Sequence, residues 1–303
     1  MIEYVPYQKI NKQKWDDCIT RSANGLVYAY SFYLDELADN WDALILNDYE
    51  TVMPLTWGKK YNIYYLYQPF FCASLGIFSN KKITRDLLEN FLQSVPAKFK
   101  YWDISLNHSN NFLLPEFGLY ERMNYVLDLN KSYEELYTNF NTNIKRNIKK
   151  AESLGCTVEK NIPLTEILVL SREILQAVSP IEEEDYNDFS ELYKILQGKG
   201  MATNYAIYSS QKELLASCVF FFSHKRAYYI LAGNHPNGKT VGASHHLINA
   251  FIKDHAGKEL LLDFEGSDIR NLAFFYSSFG AAEEKYGAIK LNRLPKLLRW
   301  MKN

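Results

Sequence analysis

The stretch NGKTVGASHHLINAFIKDHAG, residues 237–257, decides how the chain is interpreted. Small residues at 242–244 precede apolar residues at helical spacing, namely Leu247, Ile248, Phe251 and Ile252. The pattern predicts a helix whose first backbone amides are free, and free amides at a helix N-terminus attract anions. The same residues are also typical of a plain strand-to-helix turn, so both interpretations stay open at this point.

An internal repeat places this stretch in a larger plan. Residues 83–103 (ITRDLLENFLQSVPAKFKYWD) align without a gap on residues 243–263 (ASHHLINAFIKDHAGKELLLD), so that Phe91 matches Phe251 and Asp103 matches Asp263. Each copy predicts a helix followed by a strand, and β-rich runs separated by polar turns precede each copy. The sequence therefore predicts a mixed α/β (α+β) fold in two similar halves, residues 1–130 and 131–303.

The segment that joins the two copies predicts one long helix. In SYEELYTNFNTNIKRNIKKAESLG, residues 132–155, apolar side chains recur every four residues at Leu136, Phe140, Ile144 and Ile148. Ser132 and Glu135 have the spacing of a capping box, and Gly155 stands at the expected C-terminal end.

Composition excludes several classes of protein. The 303 residues carry 34 basic and 35 acidic side chains, so no overall positive field draws the chain to nucleic acid. No apolar run near the N-terminus approaches bilayer length, which predicts a cytoplasmic protein without membrane insertion. The four cysteines are widely spaced without a metal-ligand pattern, so we expect free thiols and no metal site.

The order of motifs in the second half resembles a known superfamily. A strand, a K-x-x-G-A-S turn from Lys239 to Ser244, a helix, a strand and a helix carrying A-x-x-Y-x-x-x-G from Ala273 to Gly280 resemble the core of the GNAT acyltransferases. The phosphate loop of that superfamily reads Q/R-x-x-G-x-G/A, and Ser244 departs from its final position. The duplicated plan, with NTNIKRNIKKAESLG and DFEGSDIRNLAFFYSSFG, is similar to the FemAB-like branch, which includes peptidoglycan interpeptide-bridge aminoacyltransferases.

The resemblance covers nearly the whole chain and implies two tandem GNAT-like (acyl-CoA N-acyltransferase-like) units. It implies a donor site in the second unit for acetyl-CoA or another acyl-CoA as cosubstrate, with aminoacyl-tRNA as the alternative donor. The residues it assigns to donor binding are Lys239, Gly242, Ala243, Ser244 and His245.

Acyl transfer to an amine requires a base for the amine and an acid for the leaving group. Tyr276, four residues before Gly280, matches the position where many GNAT enzymes carry a tyrosine that protonates the departing thiolate. Glu265 follows the predicted strand at its carboxyl end, where open sheets bind ligands, and is expected as the base. Asp263 is expected to bind substrate, although its repeat partner Asp103 also favours a structural cap.

Two further groups are expected to bind the acceptor. Lys145, Arg146 and Lys149 form a basic face on the predicted helix, suited to a phosphorylated acceptor or to tRNA, and equally to a solvated helix face. Tyr67 and Gln68 belong to an aromatic run that lines a cleft between the halves or simply packs in the sheet.

The sequence thus predicts an N-acyltransferase that moves an acyl group from an acyl-CoA-type donor to an amine acceptor bound between the halves. Two alternatives stay open. One is a FemAB-like aminoacyl-tRNA-dependent enzyme acting on a peptidoglycan precursor, and the other is a binding module without catalysis. The acceptor is a small molecule or a peptidoglycan precursor, and the sequence does not fix its identity or the oligomeric state.

Overall fold

A computed structural model describes residues 1–175, 181–266 and 268–295. Within these ranges the chain forms thirteen strands. They are β1 (Ile2–Val5), β2 (Trp41–Leu46), β3 (Thr51–Lys60), β4 (Ile63–Tyr67), β5 (Phe78–Ser79), β6 (Phe99–Ser105), β7 (Leu119–Asp128), β8 (Thr157–Lys160), β9 (Ala202–Tyr208), β10 (Leu214–Ser223), β11 (Arg226–Asn234), β12 (Leu261–Asp263) and β13 (Ala282–Asn292).

The same ranges contain ten α-helices, so helices and strands are mixed along the chain, which confirms the predicted mixed α/β class. The helices are α1 (Lys12–Arg21), α2 (Ser31–Leu37), α3 (Arg85–Gln93), α4 (Tyr133–Asn139), α5 (Thr142–Ser153), α6 (Leu164–Leu175), α7 (Glu183–Gly198), α8 (Pro236–Val241), α9 (Ala243–His255) and α10 (Arg270–Ser277).

The chain divides into two compact units. The first contains Met1–Met123 together with the segment that begins at Lys285, and the second contains Asn124–Glu284. The sequence predicted halves of 1–130 and 131–303, whereas in the structure the C-terminal segment groups with the N-terminal residues.

In the first unit, strands pair in the order β1-β2-β3-β4-β6-β13, and β5 adds to β3. The β4–β6 pair is parallel because α3 connects the two strands. α3 buries Leu88, Phe91 and Leu92 in a core that includes Leu66 and Trp102. The side chain of Thr84 caps this helix by accepting a hydrogen bond from the Leu87 amide.

In the second unit, strands pair in the order β7-β12-β11-β10-β9-β8. Helices cover both faces of this sheet. On one face Phe251 of α9 stacks on Phe220 of β10 with ring centroids 3.8 Å apart, and on the other Phe189 of α7 stacks on Phe221. Alternation along β10 therefore sends successive aromatic side chains to opposite faces.

The repeat seen in the sequence is present in the strand pairing. Asp103 of β6 pairs with Tyr67 of the parallel strand β4, and Asp263 of β12 pairs with Tyr228 of the parallel strand β11. In each unit a helix thus leads into a strand that pairs in parallel with an earlier strand: α3 leads into β6 beside β4, and α9 leads into β12 beside β11. The predicted helix-then-strand order is confirmed in both copies.

The predicted long helix at 132–155 is wrong in one respect, because it is two helices. The Ser132–Glu135 capping box starts α4, which ends before Phe140 in extended backbone. Asn141 then starts α5 by accepting from the Ile144 amide, while its own amide donates to the Ser278 carbonyl. The apolar side chains of the predicted face are nonetheless all buried. The spacing of apolar residues therefore predicted correctly which side chains are buried, but it did not predict the break between the two helices.

All four cysteines are free thiols, and Cys18, Cys72 and Cys218 are buried. Across the described part of the chain, no helix is both long enough and apolar enough to cross a bilayer.

Candidate functional site

The sheet of the second unit opens where β11 and β12 part. The two strands pair in parallel only from Arg226 to Tyr228, opposite Leu261 to Asp263, after which β12 ends and β11 continues to Asn234. A bulge at residue 230 bends β11 just beyond the last pair. The carboxyl ends of parallel strands that diverge are the places where open sheets bind ligands.

Three aromatic rings lie at this opening. Phe264 stacks on Tyr276 of α10 at 4.5 Å, and Tyr229 of β11 contacts both rings, with centroids 6.0 Å and 6.3 Å away. Tyr229 and Tyr276 are only 8% and 7% exposed. Burial raises the pKa of both phenols, so each is a protonated donor at neutral pH.

Glu265 belongs to the same place. β12 ends at Asp263, so Glu265 does not continue the alternation of the strand, and it adopts left-handed backbone with φ of 66°. It is partly buried, and desolvation raises the pKa of its carboxyl well above the usual glutamate range. The ring of Phe264, the residue before Glu265, stacks on Tyr276, and burial raises the pKa of the Tyr276 phenol, with smaller contributions from Cys218 and Glu265.

Asp263 is engaged on both carboxylate oxygens. Its Oδ2 accepts from Arg226 Nη1 at 2.5 Å, and its Oδ1 accepts from Asn124 Nδ2 at 2.8 Å and from the Glu265 amide at 2.9 Å. Arg226 also donates to both carboxylate oxygens of Glu284. The predicted substrate-binding role of Asp263 stays a prediction.

The stretch 237–246 contains more helix than the sequence indicated. Pro236 starts α8, a short helix that includes Lys239, and Gly242 separates it from α9 with left-handed backbone at φ of 84°. A Cβ at Gly242 would lie 2.6 Å from the carbonyl oxygen of Asn147 in α5. The glycine is therefore required by its φ and by the packing of α5, whether or not an anion approaches it.

α5 lies beside the start of α9. Asn147 Nδ2 is 3.4 Å from His245 Nε2, and Lys150 Nζ donates to the Thr240 carbonyl at 2.7 Å. Ala243 is fully buried, whereas Lys239 is exposed and Ser244 and His245 are partly exposed. The predicted donor residues thus line the α8–α9 junction, and their role in donor binding stays a prediction.

His245 connects this junction with the aromatic opening. Its ring packs edge-on against Phe275 of α10 at 5.0 Å, and Phe275 contacts Tyr276 at 5.7 Å. Burial lowers the pKa of His245 to about 4, so its imidazole is neutral at physiological pH. Its Nδ1 is buried without a hydrogen-bond partner in the described part of the chain.

The predicted basic face on α5 is present, but its members differ. Lys145 is partly buried and donates to the Thr138 carbonyl at 2.9 Å, and Arg146 donates to Asn143 Oδ1 at 2.7 Å. Arg146 and Lys149 are exposed. Acceptor binding by these three side chains stays a prediction.

Tyr67 and Gln68 lie in the first unit. The Tyr67 hydroxyl accepts from the Asp39 amide at 2.9 Å. Gln68 accepts from the Ser105 amide at 3.0 Å and donates to the Cys72 carbonyl at 2.8 Å, so both ends of its amide tie down a loop. Substrate binding by either residue stays a prediction.

The structure joins Asp263 and Glu265 by a hydrogen bond, and Tyr276 stacks on Phe264, which lies between them in the sequence. The ring of Phe275 contacts both His245 and Tyr276. Sequence reasoning missed Arg226, Tyr229 and Asn124. An arginine that opens a β-rich run was the available signal for the first, since buried arginines are paired. Among the described residues, no group of three His, Cys, Asp or Glu side chains is placed to hold a metal ion.

Comparisons with known proteins bear on the fold of the chain. No protein-family model matches the chain, and no curated protein does. The structure of FemX is similar over 99% of this chain and 100% of that one, with a TM-score of 0.67 and 14% identity. L-PGS from Bacillus licheniformis matches with a TM-score of 0.53 and 13% identity, covering 86% of this chain and 87% of that one.

A GCN5-related N-acetyltransferase from Sphaerobacter thermophilus also matches, with a TM-score of 0.51 and 9% identity over 97% of this chain and 96% of that one. At these identities the likeness concerns the fold. The chain therefore has a FemX-like fold of the GNAT type, as the FemAB-like resemblance implied.

Proposed function

We propose that the chain is an N-acyltransferase with its reaction centre where β11 and β12 part. The observation that carries the proposal is the stack of Phe264 on the buried ring of Tyr276 at 4.5 Å, which places the phenol next to the turn that contains Glu265. Burial raises the pKa of both the Glu265 carboxyl and the Tyr276 phenol. Strongly perturbed acids at the end of parallel strands favour catalysis over a structural role. The similarity to FemX and to a GCN5-related N-acetyltransferase supports the same reaction class.

The reaction assigns one proton transfer to each group. The Glu265 carboxylate accepts a proton as the acceptor amine attacks the carbonyl carbon of the donor thioester, and a C–N bond forms. The C–S bond then breaks, and Tyr276 donates its phenol proton to the departing thiolate. A carboxyl with a raised pKa is a stronger base once ionised, and a phenol kept protonated by burial is available as the acid.

We propose an acyl-CoA, such as acetyl-CoA, as the donor. Lys239, Ser244 and His245 border the α8–α9 junction, and His245 is joined to Tyr276 through Phe275. The first amides of α9 and the exposed ammonium of Lys239 suit a diphosphate at this junction, and the thioester then reaches Tyr276. The acceptor amine belongs to a peptidoglycan precursor, as the FemAB-like resemblance implies.

The test is a coupled assay of purified protein with acetyl-CoA and a muramoyl-pentapeptide that carries a free lysine amine. Free CoA thiol and acetylated peptide are both measured. We expect Glu265→Gln and Tyr276→Phe each to lower kcat by about 10² to 10⁴, the usual contribution of one acid or base. The matched control Asp103→Asn changes the repeat-equivalent carboxylate in the first unit and should leave kcat unchanged.

Absence of transfer from every donor tried, with intact ligand binding, would establish the binding-module alternative instead. Full turnover by both Glu265→Gln and Tyr276→Phe would refute the assigned roles. Donor binding is tested separately by calorimetry with CoA. Lys239→Ala should weaken the affinity several-fold, because Lys239 is exposed and its loss leaves the helix intact.

The exposed cations of α5 favour a second donor, aminoacyl-tRNA. Arg146 and Lys149 are solvent-exposed, and α5 reaches the donor junction through Lys150. If tRNA carries the acyl group, its affinity falls steeply with salt, and replacing Arg146 and Lys149 by alanine reduces that salt dependence. Transfer from charged tRNA but not from acetyl-CoA would select this donor.

A further inference from the structure

The Glu265 turn is held by two side chains that do not belong to it. The Glu265 amide donates to Asp263 Oδ1 at 2.9 Å, and the Gly266 amide donates to Asn124 Oδ1 at 2.6 Å. Both turn residues have left-handed backbone, with φ of 66° and 86°. For glutamate this conformation is strained, so it persists only where surrounding contacts enforce it.

Asp263 and Asn124 belong to a hydrogen-bond network that contains Arg226. Its Nη1 donates to Asp263 Oδ2 at 2.5 Å, and Asn124 Nδ2 donates to Asp263 Oδ1 at 2.8 Å. Glu284 completes the group by accepting from Arg226 and, at 3.2 Å, from Asn124. Arg226, Asp263 and Asn124 are 8%, 5% and 8% exposed, so the bonds form away from water.

We propose that Arg226, acting through Asp263 and Asn124, is a positioning residue that fixes the Glu265 carboxyl beside Tyr276. The inference rests on the proposed function for the role of Glu265, but its geometry does not. In this arrangement Asp263 acts on the reaction by holding the backbone of the Glu265 turn.

The bond from Arg226 orients the carboxylate of Asp263. A carboxylate with one oxygen held by a guanidinium has a fixed plane, so its other oxygen points at a fixed place. That oxygen accepts a hydrogen bond from the Glu265 amide and thereby fixes the backbone of the residue that follows Phe264, whose ring stacks on Tyr276. Burial makes the arrangement stiff, because loss of any partner leaves a buried polar group unpaired.

The equivalent positions of the first unit lack the Arg226–Asp263–Asn124 network. Asp103, the equivalent of Asp263, is exposed. Its carboxylate accepts a hydrogen bond from the Tyr101 hydroxyl. Tyr65 pairs with Tyr101 just as Arg226 pairs with Leu261, so a tyrosine stands where the second unit has the arginine. The charged network belongs to the unit that contains Glu265.

The test measures the Glu265 carboxyl by carbon-13 NMR titration in protein labelled at glutamate, with Glu265→Gln to assign the resonance. We expect Arg226→Lys and Asp263→Ala to release the turn and lower the titration midpoint of Glu265 toward that of an ordinary glutamate. Asp263→Asn keeps an acceptor for the Glu265 amide and should give a smaller shift. Asp103→Asn is the matched control and should give none.

A merely structural role for Arg226 would lower thermal stability and leave the Glu265 midpoint unchanged in all three variants, which would overturn the proposal. If Asp263→Ala does not fold, the Glu265 midpoints of Arg226→Lys and Asp263→Asn test the proposal. The readout needs no turnover, so failure of the proposed function appears separately, as an active Glu265→Gln enzyme or an inactive wild type. If transfer is observed, the acidic limb of the pH profile should move with the NMR midpoint.

Discussion

Gly242 lies against the backbone of Asn147, with the space for a Cβ already taken by the Asn147 carbonyl oxygen. This contact explains the glycine in the stretch that first indicated an anion site. It also means that a bulky variant at 242 disturbs the packing of α5 on α9 before it affects any ligand.

We expect Gly242→Ala to destabilise the protein by about 2–4 kcal/mol, combining left-handed strain with a forced contact. Urea unfolding measures the loss. Gly257→Ala is the matched control, because φ there is 79° and no heavy atom of the described chain lies within 4 Å of the new Cβ. That control should cost only about 1 kcal/mol, and equal losses would contradict the packing argument.

His245 should make stability depend on pH. Burial lowers the pKa of the folded-state imidazole to about 4, against an ordinary value of 6.5. Between these values the unfolded chain binds the proton and the folded chain does not, so stability is full above pH 6.5 and falls as pH drops toward 4. The loss is at most about 3 kcal/mol, and partial exposure reduces it.

His245→Gln should flatten the unfolding free energy over that pH interval relative to wild type. The burial of His246 lowers its pKa as well, so the double variant should be flatter still. An unchanged slope in both variants would show that neither imidazole is responsible.

Replacing Phe251 or its repeat partner Phe91 should destabilise different units of the chain. Both are fully buried, Phe251 against Phe220 and Phe91 in the core with Trp102. Replacement of either by alanine is expected to cost about 3–5 kcal/mol. Hydrogen exchange should accelerate in β9 and β10 for Phe251→Ala and in β6 for Phe91→Ala, whereas uniform acceleration in both variants would contradict separate units.

Gln68 should matter to stability. Gln68→Leu removes the acceptor of the Ser105 amide and the donor to the Cys72 carbonyl, at an expected cost of about 2 kcal/mol. The exposed Gln93→Leu serves as the control and should stay within about 0.5 kcal/mol of wild type. If Gln68 also binds the acceptor, its loss raises KM beyond the change seen for a variant of equal instability.

Much of the fold followed from periodicity, because apolar spacing reports which side of an element is buried. The residues around Phe91 and Phe251 show this, since the aligned copies predicted helix and strand in both units. Periodicity does not report where a helix stops. Asn141 breaks the predicted long helix by bonding to Ser278, a residue far away in the sequence that no local pattern reveals.

The candidate site was predictable only where one residue carries its own signal. The resemblance to the GNAT motif singled out Tyr276, and the end of a predicted strand singled out Glu265; their catalytic roles stay predictions. Arg226 was not predicted, because its role depends on its ion pairs with Asp263 and Glu284. The sequence does not show that the guanidinium meets these two carboxylates. The pKa shift of Glu265 likewise arises from burial, which depends on the folded surroundings.

The order of the chain through its two units has a consequence for biosynthesis. Residues 288–292 of β13 supply the partner strand for residues 101–105 of β6, so the first unit encloses the second in the linear sequence. During translation the second unit is complete before the sheet of the first can close. A ribosome-bound chain that lacks β13 should therefore present the N-terminal residues to chaperones while the Asn124–Glu284 unit is already folded.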